Sequence, residues 1–483
     1  MPKKIVSIAG ATGFVGTAIR NSLVEDYTVR GLTRSAYKMK HPNPTDPVEW
    51  IHCDAYALNS VNKALVGTDI LIYLIHSMVP SSRLTQASFQ DLDLLIADNF
   101  AKAAKSSGVK QIIYVGGLMP DDEGETSEHL SSRFEVEQVL QATGIPVTTL
   151  RCGMIVGPGG SSLKILINLV RRLPVMGLPT WSTSQTQPIA IQDVLRAVHL
   201  CLENPEMYAG SFDIGGPERL AYRDLIKITA EEMGKKRWMF LMPFISVVFS
   251  KRWVATFSSS SVDLVGPLID SLRHTMLVTS NPLQEQLEPT AISFREAVFE
   301  SMDERGFPLQ NPRKRMKRSD KYTIREQRRV RSVQRFVLPP NKDARWTVEE
   351  YVRWLPEFLW LILRCKVEGT RVRFFLRFIS TPLLELTIKE GGTEHHTVLA
   401  ITDGLLANVK ESPEGRFEFR EVFNGKFVIA AIHEFCPRLP WLVYNCSQAL
   451  VHLMVMRAFG RHLESLKSQS FVDQLRLDRR HQR

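Results

Sequence analysis

At 483 residues the chain exceeds what one ordinary hydrophobic core organises, so two or three domains are expected, each large enough to fold without disulfide or metal staples. Its 44% hydrophobic and 23% charged residues are those of a globular protein, which excludes a disordered or fibrous chain. The net charge of +10 is concentrated: residues 313–335 hold eleven Lys or Arg against two acids, a local +9, with no interleaved aromatic platform, so a solvated connector is preferred over a nucleic-acid or phospholipid site.

The six cysteines, at 53, 152, 201, 365, 436 and 446, form no Cys-x-x-Cys pair, and His433-x-x-Cys436 lacks a second ligand pair. No metal site is expected, and a reducing, cytoplasmic compartment fits. The opening MPKKIVSIAGATGFVG runs from a short apolar stretch directly into glycines, which reads as a first strand and not as a signal peptide. Two stretches are apolar enough to weigh as membrane spans. Residues 238–249 are too few before Lys251 and Arg252, and residues 439–459 carry Asn445, Gln448, His452 and Arg457, so a buried helix is preferred for the latter. Peripheral attachment at the inner membrane face, through the basic linker and 238–249, is the alternative to a purely cytoplasmic protein.

In chain order, KIVSIAG reads as a strand, a helix follows from Thr17, and YTVRGLTR and DILIYLIH are further strands. A helix near 91–107, the strand KQIIYVGG, a helix over 131–143 and the strand PVTTLRCGMIVG continue the alternation. Near-continuous Ile/Val runs between helices predict a parallel sheet buried on both faces. Helices at 161–173, 192–203 and 221–233 then build a smaller lobe. The expected division is a first domain over 1–306, a basic linker over 307–332 and a second domain over 333–475.

The second domain has a different grammar. RWTVEEYVRWLPEFL opens with a capping-box pattern, Thr347 and Glu350. The β-runs VRFFLRF, LLELTIKE and HHTVLAITDGLLAN follow, and in FEFREVFNGKFVIAAI the Asn424-Gly425 pair predicts a two-residue type I′ hairpin. The last helix is expected to bury a stripe of Val443, Cys446, Leu450, Leu453 and Met454, and the clusters Trp354–Trp360 and Met454–Met456 are read as core packing.

AGATGFVG, containing Ala11, Thr12, Phe14 and Val15, places Gly10, Gly13 and Gly16 between the first strand and first helix. Gly10 suits a tight turn, Gly13 close approach of the backbone to a pyrophosphate, and Gly16 close packing of the helix. The second strand ends GLTR, with Arg34 where an acidic residue would bind a ribose 2′-hydroxyl. A cation there suits a 2′-phosphate, so NADP(H) is favoured, with NAD as the alternative; an exposed surface arginine is the bland reading. Asp54, in IHCDAY, is placed either to accept from an adenine amino group or to cap a turn.

On these residues the first 300 or so resemble atypical short-chain dehydrogenase/reductases. More closely, GATGFVG, YLIHSM, YVGGLMP, HLSSRFEVEQVL, PVTTLRCGMIVGPG, RRLPVM, QPIAIQDV, FDIGGPERLAYRDL and PLIDSLRH resemble the NmrA-like/YbjT-like proteins. The resemblance implies an α/β Rossmann fold with a doubly wound parallel sheet, a bound NAD(P) and a small variable lobe over the nicotinamide end. The family is commonly followed by a C-terminal domain of unknown function, and residues from 333 onward resemble an α+β helix-grip, START-like fold in which a curved sheet wraps a helix around an apolar cavity.

Ordinary members of the wider group use Ser, Tyr and Lys. Here the Tyr position is His129, the Lys position Arg133 and the serine position Gly116-Gly117. Histidine can act as a general acid and arginine can fix a ribose hydroxyl or phosphate, although arginine cannot tune a neighbour by giving up its proton. His129 is therefore either an acid–base residue or a helix-cap or cofactor-packing residue, and His76 and Ser77, past the fourth strand, either line the nicotinamide pocket or do chemistry. Two functions follow: an NADP(H)-dependent oxidoreductase acting on a hydrophobic carbonyl or quinone-like substrate, or a non-catalytic NAD(P)-binding sensor or scaffold coupled to a lipid-binding domain.

Overall fold

The computed structural model describes residues 2–35, 46–77, 84–120, 127–242, 247–258, 262–309, 329–390 and 393–481. Most of the basic linker, including residues 313–328, and residues 243–246 of the expected apolar stretch lie outside the described residues. The chain divides into two compact units, Met1–Val79 with Asp93–Arg313, and Pro80–Leu92 with Lys314–Arg483.

In the first unit the strands β1 (Ile5–Ala9), β2 (Thr28–Thr33), β3 (Glu49–His52) and β4 (Ile70–Tyr73) are followed by β5 (Leu84–Gln86), which falls in the second unit. Then come β6 (Gln111–Gly117), β7 (Val147–Cys152), the short strands β8 (Ile155–Val156), β9 (Val175–Leu178), β10 (Gln185–Thr186) and β11 (Ile189–Ala190), and β12 (Ser211–Ile214). Seven of these make one sheet in the order β12-β7-β6-β4-β1-β2-β3, every neighbouring pair parallel. This is a Rossmann-type sheet. All four residues of β4 are buried, as are Val6, Ile8, Ile113 and Leu150, because helices cover both faces and leave no solvated side to alternate toward. The order reverses between β1 and β4, which opens a crevice at their carboxyl ends. Strand pairs β8–β11, β10 with β13 (Leu220–Ala221) and β9 with β14 (Trp238–Leu241) build the smaller lobe with the helices Ser161–Arg172, Tyr222–Glu232 and Val247–Ser258.

The second unit holds an eight-stranded sheet of β15 (Val330–Val337), β16 (Leu363–Glu368), β17 (Arg371–Leu376), β18 (Leu384–Ile388), β19 (His396–Asp403), β20 (Arg416–Val422) and β21 (Phe427–Phe435), together with β5. From β16 to β21 it is an antiparallel meander, and β15 returns to pair antiparallel with β21 and parallel with β5. The helices Ala344–Phe358 and Gln448–His481 pack on one face through an aromatic cluster. Phe459 sits 5.1 Å from Tyr351, 5.2 Å from Trp354 and 5.8 Å from Phe336, centroid to centroid. The interior beneath this helix is therefore filled by rings. A concavity of about 550 Å³ opens between Arg335, Arg457, Arg461, Asp91 and Glu464.

Local signals were displaced in four places. The helix expected to start at a Thr347/Glu350 box begins at Ala344, capped by Asp343, whose carboxylate accepts from the Trp346 N–H at 2.6 Å; Thr347 instead donates to the Asp343 carbonyl, and buried Glu350 accepts from Arg353. The Asn424-Gly425 pair does take positive φ, 52° and 79°, but Phe423 does too, so the strands are joined by four residues and not two. The final helix is broken at Ser447, and the expected buried stripe is turned outward: Val443, Cys446, Leu450 and Met454 are exposed, while Ala449, Val455, Met456, Phe459 and Leu463 face the sheet. Trp354 is in the core as expected, whereas Trp360 is exposed. Among the described residues no helix is long and apolar enough to cross a membrane.

The inverted stripe is checked by urea unfolding of the full chain. Phe459→Ala should cost about 3–5 kcal/mol, and Met454→Ala should stay within about 0.5 kcal/mol of the parent.

Candidate functional site

The glycine loop closes on itself at the crevice. Gly10 takes φ +95°, a conformation open to glycine, and a Cβ there would lie 3.1 Å from the Leu74 Cβ at the end of β4. Its carbonyl accepts from the Gly13 N–H at 2.8 Å, and Thr17 N–H donates to the Gly13 carbonyl at 2.9 Å, which starts the helix Phe14–Leu23. A Cβ on Gly16 would overlap the Gly10 carbonyl oxygen and lie 2.9 Å from the Ala11 Cα, so the first turn folds back against the loop only because Gly16 has no side chain. Ala11 is buried, Thr12, Phe14 and Val15 are half-buried, and the Phe14 ring packs toward Gly157 and Gly160. No side chain caps this helix. Its leading N–H groups and partial positive charge therefore face the crevice mouth, a chemistry that fits a pyrophosphate.

Arg34 follows β2 directly, exposed, its guanidinium 5.7 Å from the centroid of the Tyr56 ring. Asp54 closes a turn: its carboxylate accepts from the Tyr56 N–H at 3.2 Å and its own N–H donates to the Ser60 hydroxyl at 2.9 Å. The turn-capping reading of Asp54 accounts for one carboxylate oxygen and leaves the other for a ligand.

At the other end of the crevice, His76 follows β4 and His129 stands in the first turn of the helix Glu128–Gln141, with ring centroids 5.5 Å apart. His76 is exposed at the crevice mouth, yet the surrounding protein desolvates it, and Arg133 and His129 add to the effect, holding it well below the usual histidine range. His129 is half-buried, and desolvation followed by Arg133 lowers it to about 3. Its Nδ1 has no hydrogen-bond partner among the described residues. At neutral pH the His129 ring is uncharged: it can donate or accept a hydrogen bond but holds no imidazolium proton to hand over.

Arg133 lies one turn along the same helix face and is buried. Its guanidinium is 3.9 Å from the Asp93 carboxylate, and the Tyr114 hydroxyl donates to its backbone carbonyl at 3.2 Å. Asp93 accepts from the Ser77 N–H at 2.7 Å and the Ser132 hydroxyl at 3.2 Å, and burial pushes its carboxyl up against the opposing pull of Arg133. The Tyr73 hydroxyl, buried in the same cluster, has no hydrogen-bond partner among the described residues, and its ring lies 5.9 Å from Tyr114. Sequence reasoning brought His76, His129 and Arg133 together but missed Asp93, Tyr73 and Tyr114. A signal existed: Asp93 occupies the stripe it shares with Ile96, Ala97 and Phe100, where a carboxylate must find partners. Gly116 and Gly117 stand at the end of β6, and nothing lies within 4 Å of a Cβ on Gly117. Leu130, next to His129 in the chain, packs with Leu118, Met276 and Val278 in a buried apolar cluster.

Two measurements check this geometry. Gly16→Ala should cost about 1–3 kcal/mol in thermal or urea unfolding, whereas Gly117→Ala, added into open space, should change little. Because the histidine bound more weakly by protons in the fold is protonated first when unfolded, stability is full above about pH 6.5 and falls as pH drops from there toward 3. Melting temperatures from pH 7 to pH 5 should fall less steeply in His129→Asn than in the parent; an identical slope would contradict a neutral His129.

Over residues 2–250, more than half of the chain, the sequence matches the model of the NmrA-like family. It is 34% identical over 180 residues to the auxiliary protein GraX of Staphylococcus aureus, a match covering 34% of this chain and 57% of that relative. It is 24% identical over 330 residues to a UDP-glucose 4-epimerase of Vibrio cholerae, covering 62% of this chain and 97% of that protein. Among solved structures, a nucleoside-diphosphate-sugar epimerase from Staphylococcus aureus superposes with a TM-score of 0.50 and 19% identity over 62% of this chain and all of that one, a likeness of fold. With its glycine loop, its parallel sheet and this match over more than half of its length, the chain belongs to the NmrA-like family.

Proposed function

We propose that the first unit binds NADP(H) and acts as an oxidoreductase on a hydrophobic carbonyl or quinone-like substrate. The observation that carries the reading is the cradle in which Gly10, Gly13 and Gly16 leave space and an uncapped helix N-terminus faces it. In this reading Gly10 to Gly16 hold the pyrophosphate, Arg34 meets a ribose 2′-phosphate, Asp54 receives the adenine amino group, and His76 borders the nicotinamide end. The nicotinamide, when bound, supplies or accepts a hydride. Neutral His129 orients a substrate oxygen by hydrogen bonding, Arg133 fixes the electrostatic field behind it, and the proton comes from solvent. The apolar cluster that begins at Leu130, next to His129 in the chain, is consistent with a hydrophobic substrate. For the second unit we propose a helix-grip fold, supported by the return of β15 beside β21 and by two helices on one face.

A second reading is favoured by one observation: the Tyr and Lys positions hold a neutral histidine and a buried arginine, so the chain would bind the dinucleotide as a sensor or scaffold without turning it over.

Titration of the purified chain should show NADPH bound more tightly than NADH, and Arg34→Ala should weaken NADPH about 10- to 100-fold while leaving NADH unchanged. Steady NADPH oxidation on a panel of apolar carbonyls and quinones, reduced in His129→Phe, supports the oxidoreductase. Retained affinity without turnover on any panel member supports the sensor, and failure to bind either dinucleotide overturns both.

A further inference from the structure

The sequence places Trp360 in a core, yet the second unit presents it to solvent. Two loops meet at the edge of the sheet, one joining the helix Ala344–Phe358 to β16 and the other following β17. The Arg377 N–H donates to the Ile362 carbonyl at 2.9 Å, and Leu363 of β16 stands opposite Leu376 of β17. From this junction Phe358, Trp360, Leu361, Ile362, Phe378 and Ile379 all project outward; Trp360 is 61% exposed, Leu361 63% and Phe378 95%. The backbone beneath them is fixed. Ile362 N–H donates to Leu359 O at 2.9 Å, Ile379 N–H to Leu376 O at 3.1 Å, and the Arg364 guanidinium donates to the Ile379 carbonyl while lying 5.0 Å over the Phe375 ring. A cluster of this composition exceeds the single exposed apolar residues that ordinary surfaces tolerate.

Charge around the cluster is mostly positive. Arg364 and Arg377 stand at its rim, with Lys366 further along β16, and none of the described carboxylates pairs with either arginine. Between residues 356 and 367 the one acid is Glu357, a helical turn from Arg353, and residues 374–380 carry none. β16 is an edge strand, and its Arg364, Lys366 and Glu368 are the charged residues that discourage strand-to-strand pairing with a second copy. Aromatic and aliphatic tips ringed by guanidinium groups suit the boundary between lipid headgroups and acyl chains.

We propose that this platform docks the protein on an anionic lipid surface, with Trp360, Leu361 and Phe378 entering the headgroup boundary and Arg364 and Arg377 meeting lipid phosphates. It uses none of residues 238–249 or of the basic linker, and it does not depend on cofactor binding.

The test is co-sedimentation of the full chain with phosphatidylcholine vesicles with and without phosphatidylglycerol. Binding is expected with phosphatidylglycerol, fading as salt rises. Trp360→Ser with Phe378→Ser should weaken it about tenfold or more, and Arg364→Gln with Arg377→Gln should remove the preference for phosphatidylglycerol. Leu450→Ser with Met454→Ser, on the other exposed apolar stripe, should leave it unchanged. Should the double serine variant misfold by circular dichroism, Phe378→Ser alone decides, since that ring supports no core. The proposal is overturned if the parent does not pellet, if the well-folded serine variants pellet like the parent, or if sedimentation velocity without vesicles reveals a dimer that these substitutions abolish. NADPH titration of the same variants should match the parent, which separates failure here from failure of the cofactor reading.

Discussion

The first unit turns on a backbone-to-backbone approach: the Gly16 Cα lies so close to the Gly10 carbonyl that no side chain fits between them. That contact sets where the first helix starts relative to the end of β1. It therefore sets where the uncapped N–H groups point and how wide the crevice is between β1 and β4. Leu74 presses on Gly10 from the neighbouring strand, so the loop is bounded on both sides by main chain and its shape precedes any ligand. A binding surface formed this way spends little ligand affinity on ordering the protein.

The opposite end of the crevice is governed by a buried cation. Arg133 has left solvent, and a lone guanidinium there would be costly; Asp93 offsets the charge at 3.9 Å, with Ser77 and Ser132 holding the carboxylate in place. One arginine thus does two jobs. It closes the floor of this end of the crevice, and its field adds to the desolvation that lowers the two neighbouring histidines. A neutral histidine ring beside a buried arginine offers hydrogen bonds but no readily donated proton, which is compatible with hydride chemistry only where solvent or substrate provides the proton.

Much of the first unit was legible in the chain because its signals are local. Three glycines after an apolar run and strands without polar alternation each report their own surroundings, whereas the helix expected over 131–143 begins earlier, at Glu128, behind the Ser127 cap. His129 and Arg133 were paired through the Tyr-x-x-x-Lys spacing of the resembled group, and the structure sets them one turn apart on one helix. Asp93 was not readable as their partner, because that meeting depends on how the helix Phe89–Ser107 is rotated against β4 and β6. In the second unit the apolar stripe was read on the wrong side of the last helix: Leu450 and Met454 repeat at helical spacing as faithfully as Met456, Phe459 and Leu463, and periodicity alone cannot say which face meets the sheet. Gly460 decides it, since its bare Cα lets the Phe336 ring approach where a Cβ would stand 2.9 Å away. Trp360 escaped for a similar reason. A helix that ends at Phe358 leaves the next apolar residues on a loop, and no pattern in WLPEFLWLIL marks that end.

The short strand β5 carries a consequence for anyone who wishes to cut the chain. It pairs with β15 across roughly 245 intervening residues, Leu84 beside Val330 and Gln86 beside Ser332, and Gln334 donates to the Gln86 carbonyl at 2.9 Å. A fragment beginning in the basic linker would keep β15 but lose its outer neighbour, baring the backbone of Val330–Ser332, all three of them buried. Such an edge invites intermolecular pairing. The second unit is discontinuous in sequence, and a soluble version of it alone would need residues 80–92 grafted back beside β15 as well as the C-terminal segment.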